Sequence, residues 1–270
     1  MPAADLALLE QAAHEAGRIA LRYWRQAPQV WDKPAGAGPV TEADLAVNRH
    51  LESLLRAARP DYGWLSEESA DDPARLAAEY CFIVDPIDGT RAFIDGQEGF
   101  SHSLAVTRRG EVVAAVVHLP AQEITYSADA TGPALCNGAS LRPSDHRQLV
   151  GAQVLTGKPS LDPVHWRGRT PPVRRGFRPS LAWRLCLVAE GRFDAALTTR
   201  PAWEWDVAAG CLIAARAGCA VTDLAGQPPR FNSPQALTDG LVVAPPTLHD
   251  RIMAAMTPRP PRLDTRDHHG

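Results

Sequence analysis

The segment FIVDPIDGT, Phe82 to Thr90, carries an apolar run straight into two aspartates, Asp85 and Asp88, separated by a proline and an isoleucine. Two anions side by side at the end of a buried strand are costly unless water or a cation lies between them. Further acids stand at other element boundaries: Asp44 in the first turn of a helix, Glu67 and Glu68 after a strand, and Asp206 opening a helix in EWDVAAG. Hard divalent cations want several such oxygens, and magnesium takes a few carboxylates together with water and substrate phosphate. In DPIDGT the proline sets a turn able to bring Asp85 and Asp88 to one side, and Gly89 and Thr90 then offer N–H groups and a hydroxyl to an anion. Two such cations would polarise a phosphoryl oxygen, lower the pKa of a bound water and stabilise the leaving alkoxide. Taken singly, each acid has a plain reading as turn chemistry or as a helix N-terminal acid. The set of them favours a metal.

A covalent route is set aside by spacing. Haloacid-dehalogenase-like phosphatases also place Asp-Gly-Thr after a buried strand, with the nucleophilic aspartate two residues before the second one. That position here is Pro86, and Asp85 lies three residues before Asp88. The route by a metal-activated water remains.

The elements that must position these acids follow from periodicity. Leu6, Leu9, Ala13, Ala16, Ile19, Ala20 and Tyr23 recur at helical spacing, so the chain opens with an amphipathic helix that ends before Pro28. Thr41 followed by Asp44 resembles a capping box ahead of Leu45, Leu51, Leu54 and Leu55. YGWLSEES reads as a short strand running into acids and CFIVD as a fully buried strand. From Ser101 to Leu141, β-branched runs broken at Arg109-Gly110, Pro120-Ala121 and Thr131-Gly132 predict an antiparallel meander. Residues 1–148 thus read as an α+β half, and residues 149–256 as a second half mixing helix and strand, with helices around Leu181–Glu190 and Trp205–Ala217. Residues 257–270, polar and proline-rich, read as a disordered tail.

Composition sets the class. With 270 residues, 45% of them hydrophobic, and a formal charge of −3, the chain has enough apolar material for a large core and lacks the basic excess of a nucleic-acid binder. Cys81, Cys136, Cys186, Cys211 and Cys219 are odd in number and have no CxxC spacing, so they read as reduced packing residues of a cytoplasmic protein. No segment has the length of a membrane span or the pattern of a signal peptide. Trp203 and Trp205 read first as core packing, with stacking on a base as the other reading. The nine histidines show no metal-ligand spacing, and His268 and His269 fall in the tail.

DPIDGT, the acids of LSEES and WDVAAG, in that order, resemble the signature of the inositol monophosphatase family, and GPVTEAD and LCLVAEGRFDAAL are similar to its usual text. The similarity runs from the first helix to about Met253. The resemblance implies a mixed α+β fold, a five-layer αβαβα sandwich with the site between the halves. It also implies Mg2+-dependent, lithium-sensitive hydrolysis of a small soluble phosphate monoester by a metal-activated water, with Mg2+ at two or three per site, Mn2+ as a substitute, and Li+ and Ca2+ as inhibitors. Carried over, Glu67, Asp85 and the carbonyl of Ile87 hold the first metal, and Asp85, Asp88 and Asp206 the second. Thr90, hydrogen-bonded to Asp44, helps orient the attacking water, and the N–H groups of Gly89 and Thr90 receive phosphate. Glu68 becomes an outer acid, and Lys33 matches the family's lysine near a mobile loop. A homodimer is the usual assembly of such relatives.

The substrate is read from departures. Pro179-Ser180-Leu181 stands where enzymes acting on inositol phosphates carry a small Gly-Ser/Thr-Ala segment, and Thr199 stands where a glutamate is expected to bind the inositol ring. Glu204 and Arg184 are more similar to the branch that removes the 3′-phosphate from adenosine 3′,5′-bisphosphate, which becomes the leading substrate. Arg91, followed by Ala92-Phe93, resembles histidinol-phosphate phosphatases instead, and inositol 1-phosphate also stays open. A different class is represented among relatives by RNA- or polymerase-associated regulatory proteins, against which the intact acids and the lack of a basic run argue.

Overall fold

The computed structural model describes residues 2–34 and 38–259. Helix α1 (Pro2–Tyr23) and helix α2 (Glu42–Ala58) open the chain, linked by a small hairpin of β1 (Val30–Asp32) and β2 (Pro39–Thr41). The capping box at α2 forms: Thr41 Oγ1 accepts from the N–H groups of Ala43 and Asp44, while Asp44 Oδ2 accepts from Thr41 N at 2.8 Å. Such a cap satisfies N–H groups that the first helical turn leaves unpaired, worth about 1 kcal/mol. It also fixes where the Asp44 carboxylate points.

A seven-stranded sheet follows in the order of the sequence: β3 (Gly63–Ser66), β4 (Tyr80–Asp88), β5 (Ser101–Arg108), β6 (Glu111–Leu119), β7 (Ile124–Asp129), β8 (Leu135–Cys136) and β9 (Ala139–Ser140). Strands β3 and β4 are parallel and every later neighbour is antiparallel. A short helix α3 (Thr90–Ile94) follows β4. The meander expected from Ser101 to Leu141 is present, with its first turn at Arg109-Gly110.

The second sheet has the order β11-β10-β12-β16-β14, from β10 (Gln153–Thr156), β11 (Arg174–Gly176), β12 (Ala195–Thr198), β14 (Ala220–Thr222) and β16 (Leu241–Ala244). Between the two sheets lie helices α4 (Leu181–Ala189) and α5 (Glu204–Ala217). A two-stranded ribbon of β13 (Ala202–Trp203) and β15 (Leu237–Thr238) leads into α5, and α6 (Pro246–Ala255) covers the outer face of the second sheet.

Side-chain alternation along β4 explains the layering. Phe82 and Val84 face Leu9, Ala13, Ala16, Val47 and Leu51 of α1 and α2, whereas Cys81 and Ile83 face Leu185, Val207 and Ala208 of the middle helices. A strand buried on both faces needs no polar alternation, which is why it reads as an unbroken apolar run. Leu155, Ala196 and Val243 close the middle layer from the second sheet, and Val154, Leu197 and Val242 turn to Leu248 and Ile252 of α6. The result is helices, sheet, helices, sheet, helix, the five-layer sandwich. Helices α4 and α5 touch closely: a Cβ placed on Gly210 would lie 2.7 Å from Cβ of Leu185.

All five cysteines are free, four of them buried, in keeping with packing roles. Among the described residues no helix is long and apolar enough to cross a membrane. Of the expected tail, residues 260–270 lie outside the described residues, including His268 and His269. Its first residues are tied to the body, since Thr257 N–H donates to the carbonyl of His165 at 3.0 Å.

Candidate metal centre

Asp85 and Asp88 sit inside β4 and not in a turn beyond it, which corrects the expectation drawn from DPIDGT. Asp85 pairs with Ser103 and Asp88 with Ser101, so β4 advances three residues while β5 advances two. Residues three apart on a regular strand point to opposite faces; one extra residue, a β-bulge, returns both carboxylates to the same side. Pro86 supplies no N–H to the ladder, and its carbonyl accepts from Nδ1 of His102 across the bulge. The N–H of Ile87 donates to Asp85 Oδ1 at 2.9 Å. The strand ends at Gly89, whose φ of 97° lies in the left-handed region that glycine tolerates best, and α3 begins.

Asp206 comes from the middle layer, in the first turn of α5. Ser103 Oγ donates to the carbonyl of Trp205 at 2.8 Å, tying that turn to the strand beside Asp85. The three aspartates each present one carboxylate oxygen within 4.8 Å of the others. Burial raises the pKa of all three. For Asp85, repulsion from Glu67 and Asp88 adds to burial, and for Asp206 repulsion from Asp88 and Glu67 does so. Asp88 is pushed up to about 6 by burial, opposed by hydrogen bonds from Ser180 Oγ and the N–H of Ala182, each 2.7 Å from Oδ2. Three desolvated carboxylates raised in this way are a donor set of hard oxygens suited to a divalent cation, which would reverse the repulsion.

Around this group the remaining predicted residues divide. Lys33 Nζ lies 2.6 Å from both Glu67 Oε1 and Glu68 Oε1. Burial disfavours the charged lysine, but the two glutamates outweigh it and hold its pKa above the ordinary value. Burial pushes Glu68 up to about 7 against that bond, and residues 35–37 of the adjoining loop lie outside the described residues. Thr90 Oγ1 donates toward Asp44 Oδ1 at 3.3 Å and the carbonyl of Ile87 at 3.2 Å, so the expected Thr90–Asp44 contact is present. Asp44 is fully buried and pushed up to about 6 by desolvation, in spite of its bonds from Thr41.

Other expectations meet different partners. Glu204 is fully buried, and its two oxygens accept from the N–H groups of Asn232 and Ser233 at 2.6 and 2.9 Å. Its carboxylate holds the 232–233 loop and has no exposed surface. Arg184 donates to the carbonyls of Arg178 and Pro179 and lies over the Phe177 ring, although its charge still favours ionised Asp88 and Asp206. Arg91 is exposed on α3. Thr199 is buried and bonded to Ser160. Trp203 is 44% exposed, against the core-packing expectation, because it is the residue preceding α5 and sits on the short ribbon.

Three supporting residues were missed in the sequence. Ser180 caps α4 through Trp183 N–H and donates to Asp88. His102 holds the bulge, and burial keeps its pKa down at about 4, so it is neutral. Asn48 Nδ2 donates to the carbonyl of Glu68 at 3.3 Å and its Oδ1 accepts from Ser66 at 2.7 Å. Only Ser180 left a signal, as a serine three residues ahead of Trp183 at a helix start.

A sandwich of this kind with an aspartate triad where the end of β4 meets the start of α5 defines a class of metal-dependent proteins, and the comparisons narrow it. The sequence model of the inositol monophosphatase family matches residues 3–259, and the chain belongs to that family. It is 35% identical over 232 residues to an inositol-1-monophosphatase of Rhizobium meliloti, covering 82% of this chain and 86% of that protein. It is 34% identical over 205 residues to the Nus factor SuhB of Pseudomonas aeruginosa, covering 69% and 73%. Among solved structures, Thermotoga maritima IMPase superposes with a TM-score of 0.80 at 27% identity, covering 94% of this chain and 96% of that one.

Proposed function

We propose that the chain is a Mg2+-dependent phosphomonoesterase acting on a small soluble phosphate monoester. The observation that carries this reading is the convergence of Asp85, Asp88 and Asp206 from two layers onto one point, with their ligand oxygens within 4.8 Å. Together with Glu67 and the carbonyl of Ile87, these residues would hold the cations. Bound there, divalent cations supply polarisation of the phosphoryl oxygen and a lower pKa for a coordinated water.

The chain's own groups do the positioning. Ile87 N–H holds Asp85, and Ser180 with Ala182 holds Asp88, so both carboxylates are fixed before a substrate arrives. The Thr90 hydroxyl, set between Asp44 and the carbonyl of Ile87, orients the attacking water and passes its proton toward Asp44, whose pKa near 6 suits a proton acceptor at neutral pH. The N–H groups of Gly89 and Thr90 receive phosphate oxygens. Catalysis in this arrangement is mainly electrostatic.

The name of the Rhizobium relative supports inositol 1-phosphate as a substrate. Thr199, however, is buried where a ring-binding glutamate was expected. Adenosine 3′,5′-bisphosphate stays first to test on the strength of exposed Trp203, not of Glu204 or Arg184, and histidinol phosphate follows. A regulatory role draws on the relative named as a Nus factor. The deciding measurement is phosphate release from these three esters in Mg2+ against EDTA. Mg2+-dependent release from one of them supports the hydrolase; no release from any of them leaves the regulatory reading.

A further inference from the structure

His102 sets a half-satisfied polar ring in an apolar layer. Leu104 and Val106, on its face of β5, pack with Leu9, Ala13 and Val47 of α1 and α2, and His102 is itself fully buried. Its Nδ1 meets the carbonyl of Pro86, while its Nε2 is buried with no hydrogen-bond partner. A carbonyl only accepts, so the ring proton stands on Nδ1 and Nε2 carries a bare lone pair. The ring is held by His118, directly opposite on β6 with centroids 6.1 Å apart, and by Phe100, whose ring lies 6.5 Å away at 78°. A buried nitrogen without a donor is a cost that a leucine in the same place would avoid, so the histidine needs a reason.

That reason lies in the peptide group between Pro86 and Ile87. Asp85 pairs with Ser103 and Asp88 with Ser101, so Pro86 and Ile87 share the place opposite His102. A peptide group is planar, and whatever fixes its oxygen fixes its N–H. The oxygen belongs to Pro86 and accepts from His102; the N–H belongs to Ile87 and donates to Asp85 Oδ1 at 2.9 Å. Turning that plane within the bulge would carry the N–H off the carboxylate. A hydrogen bond at the carbonyl also polarises the N–H across the plane, which strengthens its bond to Asp85.

We infer that His102 is a positioning residue of the metal centre, which orients the Asp85 carboxylate through the 86–87 peptide group and does so as the neutral tautomer protonated at Nδ1. The inference rests on the phosphomonoesterase reading, in which Asp85 is a metal ligand, and adds to it a residue that touches neither cation nor ester. It sorts substitutions by where they put a donor. His102→Asn keeps an amide N–H close to the Nδ1 position, His102→Gln moves it to the Nε2 position, and His102→Leu has none.

The test compares the wild-type chain with these three variants. The dissociation constant for Mg2+, measured by calorimetry on EDTA-treated protein, is expected to rise about tenfold in His102→Leu and His102→Gln and to recover most of the way in His102→Asn. The urea midpoint should take another order, with His102→Leu at least as stable as His102→Asn, because leucine fills the apolar site and asparagine underfills it. Equal dissociation constants in all the proteins overturn the inference, as does equal weakening in every variant, which would assign the effect to packing. Should His102→Leu fail to fold, the contrast between His102→Asn and His102→Gln decides alone. If the wild-type chain neither binds Mg2+ nor releases phosphate, the hydrolase reading falls and the peptide group is followed directly. Hydrogen exchange at the Ile87 amide that is slow in wild type and His102→Asn and fast in the other two upholds the positioning; one common rate overturns it. In either case the nitrogen NMR spectrum of the ring is expected to show the proton on Nδ1, and a proton on Nε2 overturns the inference.

Discussion

Ser180 Oγ donates to Asp88 Oδ2 at 2.7 Å across 92 residues of chain, joining the start of a middle-layer helix to the end of β4. The same hydroxyl accepts from Trp183 N–H at 2.8 Å, so one atom caps α4 and orients a carboxylate. Ser180→Ala removes both. It is expected to lower stability by about 1–2 kcal/mol, from the lost cap and the buried acceptor left short of a donor. It is also expected to raise the Mg2+ concentration for half-maximal activity, because the bond favours the ionised form of Asp88. Urea unfolding and a Mg2+ titration of turnover check the two parts separately.

Asp88→Asn tests the metal reading directly. The amide oxygen still accepts from Ser180 and Ala182, so the local geometry survives, while one negative charge leaves a cluster whose members raise each other's pKa. Turnover is expected to fall by more than the ~10–100-fold typical for losing a group that only supports a metal ligand. Metal-free thermal stability is expected to hold or rise. Near-normal turnover would remove Asp88 from the centre.

Acidity of the carboxylate cluster predicts how metal and pH combine. Asp44 and Asp88 are raised from the ordinary 3.8 to about 6 in the folded chain, so the native state binds more protons than the unfolded state between those values. The contribution of these carboxylates to the stability of the metal-free chain therefore falls as pH rises from about 4 through about 6, with Glu68, raised to about 7, extending the fall and His102, lowered to about 4, opposing it. A cation that binds the ionised carboxylates restores what is lost. The gain in Tm on adding Mg2+ to EDTA-treated protein should be larger at about pH 7.5 than at about pH 5. Equal gains at both would detach these carboxylates from the binding site.

The sequence carried the layers because β4 is apolar on both faces up to Asp85 and α1 and α2 are apolar on one, patterns that periodicity resolves. The acids were legible as a set for a related reason: carboxylates are rare at the ends of buried strands unless something is held there. The bulge was not legible, since Asp-Pro-Ile-Asp-Gly is equally good turn chemistry, and the choice is made by pairing with Ser101 and Ser103 on the next strand. Ser180 and His102 act on Asp88 and Pro86 from 92 and 16 residues away, beyond any local pattern. Trp203 was misread because a tryptophan beside a helix start carries no sign of which of its faces is covered.

Glu204 shows how a buried acid is told from a binding one. Both its oxygens accept main-chain N–H groups, from Asn232 and Ser233, and Arg75, bonded to Asn232 at 2.7 Å, adds a favourable charge to that loop. Burial still raises its pKa, as the only substantial opposing influence. Glu204→Ala leaves two main-chain donors without acceptors, at about 1–3 kcal/mol each before relaxation, whereas Glu204→Gln keeps the shape and one strong acceptor and should lose less. The expected result is a graded fall in the denaturation midpoint, Ala below Gln below wild type, with KM for adenosine 3′,5′-bisphosphate unchanged in the folded fraction. A substrate contact predicts the opposite split: KM raised in both variants at an unaltered midpoint. Measuring both quantities on the same preparations decides between a loop clamp and a ligand-binding acid, and only the clamp is compatible with a side chain that solvent does not reach.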